Sequence, residues 1–194
     1  MTQPLIYPIA FTRAIKTMIG DGADLGQEGG FCVDTGGPTN RGITLAELMA
    51  NPDFDGDGLV DADLDHDGDV DVDDLKLMDT PTAKFYYHSQ WWARYGYDRI
   101  HNAELAGKVF NLAVNMGPIQ AHRILQRALR ACEFPLTEDG ILGPLTVSAT
   151  NNVVPVAVMA GLRCEAAGFY RMLAVKNPAK YGEYINGWII RAYA

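Results

Sequence analysis

The sequence predicts a mainly α protein. Three observations carry that expectation. Apolar residues recur at three- and four-residue spacing along most of the 194-residue chain, alternation of period two is nearly absent, and Gly or Pro stands where the helical stripes end. A composition of 48% hydrophobic and 21% charged residues belongs to a globular protein, long enough for one ordinary domain or two small ones. No run approaches the roughly 18 consecutive apolar residues of a membrane span, so none is expected.

The first helix is expected at about 8–19, with Phe11, Ile15, Met18 and Ile19 on one face and Gly20 and Gly22 closing it. The N-terminal stretch lacks a basic start, an apolar stretch and a small-residue cleavage site. Synthesis in the cytoplasm without a secretory signal is therefore expected, and action outside it needs another route of release. A glycine-rich loop, GQEGGFCVDTGGPTNRG (26–42), is the one place for a small ribbon. Thr44, with Glu47 three positions on, is a capping-box pattern that starts a short helix over 44–50.

Residues 53–74 contain eleven Asp and no Lys, Arg or Glu. The formal charge of the whole chain is −8. Its 24 acids include these 11, leaving 13 against 16 Lys and Arg, so the rest of the chain is +3. The acidic average, which argues against nucleic acid as a partner, thus describes one segment. An EF-hand-type loop takes oxygen ligands at positions 1, 3, 5, 9 and 12, a backbone carbonyl at 7, and Gly at 6 for the turn. From Asp63 every slot is filled: Asp65, Asp67, Gly68, Asp69, Asp71 and Asp74 follow in place, with the apolar Val70 at position 8. Leu75-Lys76-Leu77-Met78 begins an exit helix. A second register starts at Asp53, with Asp55, Asp57, Gly58 and Asp61, but its twelfth residue is Leu64, which cannot ligate. The two registers start ten residues apart with no helix between them, which disfavours an ordinary EF-hand pair. Oxygen-only donors favour Ca²⁺ over Zn²⁺. One structural Ca²⁺ is expected in 63–74, with a second possible at 53–61.

Beyond the insertion, 81–95 reads as a helix rich in aromatics: Phe85, Tyr86, Tyr87, Trp91, Trp92 and Tyr95. A helix over 102–116 carries Leu105, Val109, Leu112 and Met116. Gly117-Pro118 ends it and starts another, with the stripe Ala121, Ile124, Leu125, Ala128, Leu129 and Cys132. A loop with Gly140, Gly143 and Pro144 leads to a short helix at 144–151. The longest helix, 155–176, bears Met159, Leu162, Ala166, Phe169 and Leu173, and Tyr181, Tyr184, Ile185, Trp188 and Ile189 close the chain. The three cysteines (Cys32, Cys132, Cys164) are odd in number and lack metal-clip spacing, so reduced, buried thiols are expected. His88, His101 and His122 are at non-ligand spacing and read as structural. Arg123, Arg127 and Arg130 line one helix face, either solvated or set against an anionic wall. Trp188 reads as core.

Catalytic chemistry concentrates in the glycine-rich loop. Glu28 is followed by Gly29 and Gly30, so bare backbone can approach a bulky ligand. Asp34 is a second carboxylate six residues on, and Thr39 adds a hydroxyl. Two carboxylates across one bond suit glycoside hydrolysis, although the same residues also suit a turn with capping acids. Nearly everything outside the insertion bears on the choice: EGG, then GGPTNRGIT, Trp91-Trp92, VFNLAVNMGP (109–118), ILQRAL (124–129), DGILGPLT (139–146), Arg163 with FYRML (169–173), and GWIIRAY (187–193). In these motifs, and in their order, the chain resembles glycoside hydrolase family 108, the N-acetylmuramidases once termed secretion activator proteins.

The resemblance implies a lysozyme-like helical catalytic part over 1–117, interrupted by the insertion at 53–74, and a peptidoglycan-domain-like helical part over 118–194. It implies cleavage of the β-1,4 bond between N-acetylmuramic acid and N-acetylglucosamine by a monomer, with bacterial peptidoglycan as partner. Glu28 would protonate the glycosidic oxygen. Asp34 would orient water or stabilise the sugar cation, and Thr39 would position that water. A tighter first-helix-to-EGG connection and Asp at the position of Asn111 are usual in the family, and GDGADLGQ and Asn111 depart from both. Trp91, Trp92 and Tyr95 suit stacking on sugars or core packing, and Asn115 suits an N-acetyl group or a loop cap. The missing signal fits a phage or prophage endolysin released through a holin, or a bacterial enzyme with dedicated export, acting in the periplasm or wall. Two alternatives stand beside hydrolysis: a lytic transglycosylase on the same bond, and a non-catalytic wall-binding or secretion-helper protein.

Overall fold

A computed structural model describes residues 7–20, 29–34 and 37–194, with Asp34 described by its backbone alone. The chain divides into two compact units, Met1–Asp98 and Arg99–Ala194. The expected boundary lay after 117. The helix over 103–116 instead packs with the C-terminal helices, because its apolar face meets theirs.

In the first unit, α1 (Ile9–Ile19) buries Phe11, Ile15, Met18 and Ile19, the four residues expected on one face. Gly20 ends it at φ 77°, in the left-handed region. The glycine-rich loop supplies β1 (Cys32–Asp34) and β2 (Gly37–Asn40), and β3 (Ile43–Thr44) follows. They form an antiparallel meander in the order β1-β2-β3, pairing Cys32 with Thr39 and Asn40 with Ile43. Thr44 then caps α2 (Leu45–Ala50) through the full capping box: its hydroxyl accepts from Glu47 N at 3.1 Å, and Glu47 Oε2 accepts from Thr44 N at 3.0 Å.

After the acidic loop come α3 (Val72–Leu77) and α4 (Thr80–Tyr87). The aromatic helix does not run on as one α-helix to residue 95. It widens into a π-turn at His88–Ala93, a feature that single-sequence periodicity cannot register. This unit has an aromatic core: Phe11 meets Trp92 edge-on at 5.5 Å, and Phe54 meets Tyr86 edge-on at 5.1 Å. Phe54 and Ala62, in the acidic insertion, are fully buried and anchor it.

The second unit holds α5 (Ala103–Met116), α6 (Pro118–Ala131), α7 (Pro144–Asn152), α8 (Pro155–Lys176), α9 (Pro178–Tyr181) and α10 (Ile185–Tyr193). In α8 the fully buried residues are Val158, Leu162, Ala166, Ala167 and Tyr170, whereas Met159, Phe169 and Leu173 are only half-buried. The predicted stripe is displaced because small residues set the contact. A Cβ on Gly161 would come within 2.9 Å of Ala128 Cβ, so α6 and α8 meet at Gly161 and Ala128. Trp188 is half-buried, not fully enclosed. It stacks between Tyr170 (5.1 Å, 27°) and Tyr184 (5.8 Å, 25°).

The DGILG loop is tied by buried Gln126. Its Nε2 donates to Asp139 Oδ1 (2.7 Å) and its Oε1 accepts from Gly140 N (2.9 Å). His122 Nδ1 lies 3.0 Å from Gly140 O, a structural role as expected. Arg127 and Arg130 both pair with Glu138, at 2.7 and 2.6 Å, so this face is partly neutralised within the fold. The thiol expectation is corrected. All three cysteines are free, but Cys32 and Cys164 are exposed and Cys132 is half-buried. Cys164 lies two residues past Leu162, on the outer face of α8, and Cys132 sits at the C-cap of α6.

Candidate active site

Glu28 lies outside the described residues, and Asp34 is placed by its backbone only, at the end of β1 opposite Gly37. Thr39 sits on β2, and its hydroxyl donates to Ile43 O at 3.1 Å. The hydroxyl proton is thus used within the ribbon, leaving the oxygen as an acceptor.

The ribbon is gripped from behind. Asn40 is 5% exposed, and its Nδ2 donates to Leu75 O (2.7 Å) and Met78 O (3.3 Å). Arg41, at φ 51°, donates from Nε to Met78 O and from Nη1 to Ile19 O, each at 3.4 Å. Tyr87 Oη donates to Arg41 O at 3.0 Å. Asn40 and Arg41 stand in the GGPTNRG motif, but no role was assigned to them from sequence; their short-range neighbours carry no hint of partners 35 or more residues on.

Among the aromatics, Trp92 is 1% exposed and packs on Phe11 and Tyr97. Its expected part in stacking on sugar is therefore corrected: a ring with no free face cannot do so. Trp91 and Tyr95 are half-buried and 6.1 Å apart. Asn115, in the second unit, accepts from Tyr170 Oη at 2.7 Å, which orients its amide.

The acidic loop folds as two copies of one pattern. Position 1 accepts from the N–H of position 6, as Asp53 from Gly58 (2.9 Å) and Asp63 from Gly68 (3.2 Å). Position 3 accepts from position 5, as Asp55 from Asp57 and Asp65 from Asp67, both at 3.2 Å. Gly58 and Gly68, at φ 88° and 100°, make the turns that a side chain would strain.

The copies differ at their ends. Asp74 is 1% exposed and accepts from the N–H groups of Leu64 (2.5 Å), Asp71 (2.8 Å) and Asp65 (3.2 Å). Burial alone would raise its pKa, but these three bonds outweigh burial and hold it below the ordinary carboxylate range. In the first copy Asp61 turns instead to Phe54 N (2.7 Å), and its burial raises its pKa.

Carboxylate oxygens gather within 4.8 Å of one another in three groups: Asp63, Asp65 and Asp74; Asp69, Asp71 and Asp74; and Asp53, Asp55 and Asp57. The predicted ligands Asp67 and Asp61 stand outside these groups. Asp67 Oδ1 instead accepts from Asp69 N at 3.1 Å. Burial raises the pKa of Asp65, and the charge of Asp67 raises that of Asp69. These carboxylates are crowded enough to bind a metal cation.

Residues 24–117 match the family model described as glycosyl hydrolase 108, and residues 120–193 match a model described as a predicted peptidoglycan domain. A solved structure described as that of Brucella abortus SagA superposes with a TM-score of 0.64 at 22% identity, over 94% of this chain and 92% of that one. That likeness concerns the fold, and the mainly α class with a small ribbon agrees with expectation. No curated protein matches the sequence.

Proposed function

We propose that the chain, a glycoside hydrolase whose residues 24–117 match the family model described as glycosyl hydrolase 108, is an N-acetylmuramidase cutting the β-1,4 bond between N-acetylmuramic acid and N-acetylglucosamine. The observation that carries this reading is the paired match, hydrolase followed by peptidoglycan domain, over nearly the whole chain. Peptidoglycan is the polymer to which both halves answer.

In the proposed reaction Glu28 is the general acid. It protonates the glycosidic oxygen as the bond breaks, which requires a carboxyl that keeps its proton near neutrality. Asp34, across the ribbon from Gly37, is the second carboxylate, orienting water or stabilising the oxocarbenium-like ring. Thr39, with its proton given to Ile43 O, offers that water an acceptor. Trp91 and Tyr95 provide half-exposed rings for sugar contact. Asn115, its carbonyl held by Tyr170, keeps its amide N–H groups for an N-acetyl oxygen.

The loop 63–74 is proposed to hold one structural Ca²⁺. Asp63 Oδ1 is buried without a hydrogen-bond partner among the described residues, as a ligand awaiting a hard cation would be. Asp63, Asp65 and Asp74 supply the nearest oxygens, and the bound charge offsets their repulsion. A second ion is proposed at Asp53, Asp55 and Asp57. No described helix is long and apolar enough by itself to cross a membrane. A monomer, released as an endolysin or by dedicated export, completes the proposal.

Glu28→Gln tests the catalytic assignment. Clearance of cell-wall suspensions should fall by about 10²–10⁴, the usual contribution of a positioned acid. Mass spectrometry of wild-type digests should show reducing-end muramic acid. A 1,6-anhydro product would instead mark a transglycosylase, and undiminished clearance by the Gln variant would remove Glu28 from the reaction.

A further inference from the structure

We propose that Asn40 is a positioning residue that makes the geometry of the catalytic ribbon depend on cation occupancy of the loop 63–74. The proposal rests on the muramidase and calcium readings above. It begins with α3, whose six residues are too few to hold a helix by themselves. Both of its ends are fixed by other parts of the unit, and those parts are the acidic loop and the ribbon.

At the N-terminus the anchor is the acidic loop. Asp71 is the N-cap and accepts from Asp73 N at 2.6 Å. Asp74, at the third helical position, reaches back to Asp71 N at 2.8 Å. Both carboxylates belong to the crowded groups, and Asp74 belongs to two of them. Drawing these oxygens within 4.8 Å of one another is favourable only when a cation offsets their charge. The first turn of α3 is therefore most stable with the loop loaded.

At the C-terminus the anchor is Asn40. The last carbonyls of a helix have no helical partner, and Leu75 O and Met78 O receive both bonds of the Asn40 amide. The side chain is buried, so no water replaces those acceptors if α3 unwinds. Side chains alternate along a strand, so Asn40 faces α3 while Thr39, its neighbour, faces the other way. The clamp thus lies behind the residue proposed to hold the attacking water. Arg41 adds a second tie to Met78 O at 3.4 Å. An emptied loop loosens α3, removes the acceptors of Asn40, and releases β2 from its set position. Asn40 touches neither sugar nor cation and acts through the ribbon.

The experiment compares the full-length wild type with Asn40→Ala, with calcium chloride alone as the probe, well below either melting temperature. Calcium binding is measured by titration calorimetry, and kcat and KM on soluble wall fragments are followed against free calcium. In the wild type, chelation should lower kcat roughly ten- to hundredfold, the usual cost of losing an outer supporting contact, with KM little changed and calcium restoring the rate. Asn40→Ala should bind calcium with the same stoichiometry and show the same rise in melting temperature, yet keep a low kcat that does not respond. A variant whose kcat rises with calcium like the wild type overturns the proposal. So does a wild-type kcat indifferent to calcium that calorimetry shows to be bound.

Absence of calcium binding overturns the calcium reading and this proposal together. Full activity of Glu28→Gln would instead strike the muramidase reading, and the two failures are separate. If Asn40→Ala does not fold, hydrogen exchange of the wild type decides. Chelation must speed exchange in β2 and β3 as well as in α3, and a change confined to 53–74 refutes the coupling.

Discussion

Replacing Lys108 by Met should stabilise the protein at neutral pH, and the gain should shrink as pH rises. Lys108, on α5, is 8% exposed, and its Nζ donates to Arg191 O at 2.7 Å. Burial, helped by the charges of Arg163 and Arg191, brings its pKa from 10.5 down to about 8. At 1.36 kcal/mol per unit, carrying that charge into the fold costs about 3 kcal/mol. The unfolded chain binds the proton more tightly. The cost is therefore complete below pH 8 and is relieved between about 8 and 10.5. Met removes the charge but strips Arg191 O of a donor, worth about 1–2 kcal/mol. The net expectation is a gain of roughly 1–2 kcal/mol at pH 7, or about 2–8 °C in melting temperature. Urea unfolding of both proteins from about pH 6.5 to 9.5 measures the gap. Tyr86 and Tyr97, whose phenols burial holds high, start to cost stability above pH 10, but they do so in both proteins and cancel. A gap independent of pH, or a variant about 2 kcal/mol less stable at pH 7, would refute the reasoning.

Three further outcomes follow from local geometry. Chelation, or Asp74→Asn, should remove about 2.7 kcal/mol of stability relative to the wild type at calcium a hundredfold above Kd, a fall of roughly 5–10 °C by calorimetry; an unmoved melt with no calcium by elemental analysis contradicts it. Thr44→Ala removes the hydroxyl arm of the α2 capping box, leaving the backbone N–H of residue 44 on Glu47, and should cost about 1 kcal/mol in urea unfolding, and no change would show that α2 is held by packing alone. Gly161→Leu sets a Cβ 2.9 Å from Ala128 Cβ and should cost about 1–3 kcal/mol; Ala128→Gly in the same chain should recover part of it, and additive losses would show that the two helices do not meet there.

Where one short stretch carried its own reason, the sequence was sufficient. The face of α1, the Thr44 capping box and the Gly117-Pro118 break depend on residues within four positions of one another, and each formed as read. The acidic loop was legible for the same reason: its Asx turns link residues two and five apart, so the register shows in the spacing. The glycosidase motif was legible as a resemblance, but the chemistry of Glu28 depends on surroundings that spacing does not contain.

Long-range pairing decided the rest. Trp91 and Trp92 are equivalent on paper, and only the path of the π-turn puts one in the core and leaves the other half-exposed. The face of α8 was set by where Gly161 lets it approach Ala128, which outweighs the bulk of Met159 or Phe169. Asn40 shows the difference most plainly. By itself it is a polar residue in a glycine-rich turn. The fold brings two unpartnered helix carbonyls from Leu75 and Met78 onto its amide, and a buried donor keeps its position only where such acceptors meet it. The sequence alone determined the oxygen-rich donor set of the acidic loop and, by resemblance, the glycoside hydrolase class. The tertiary structure determined which residues hold that chemistry in place, because burial and hydrogen-bond satisfaction belong to the assembled chain.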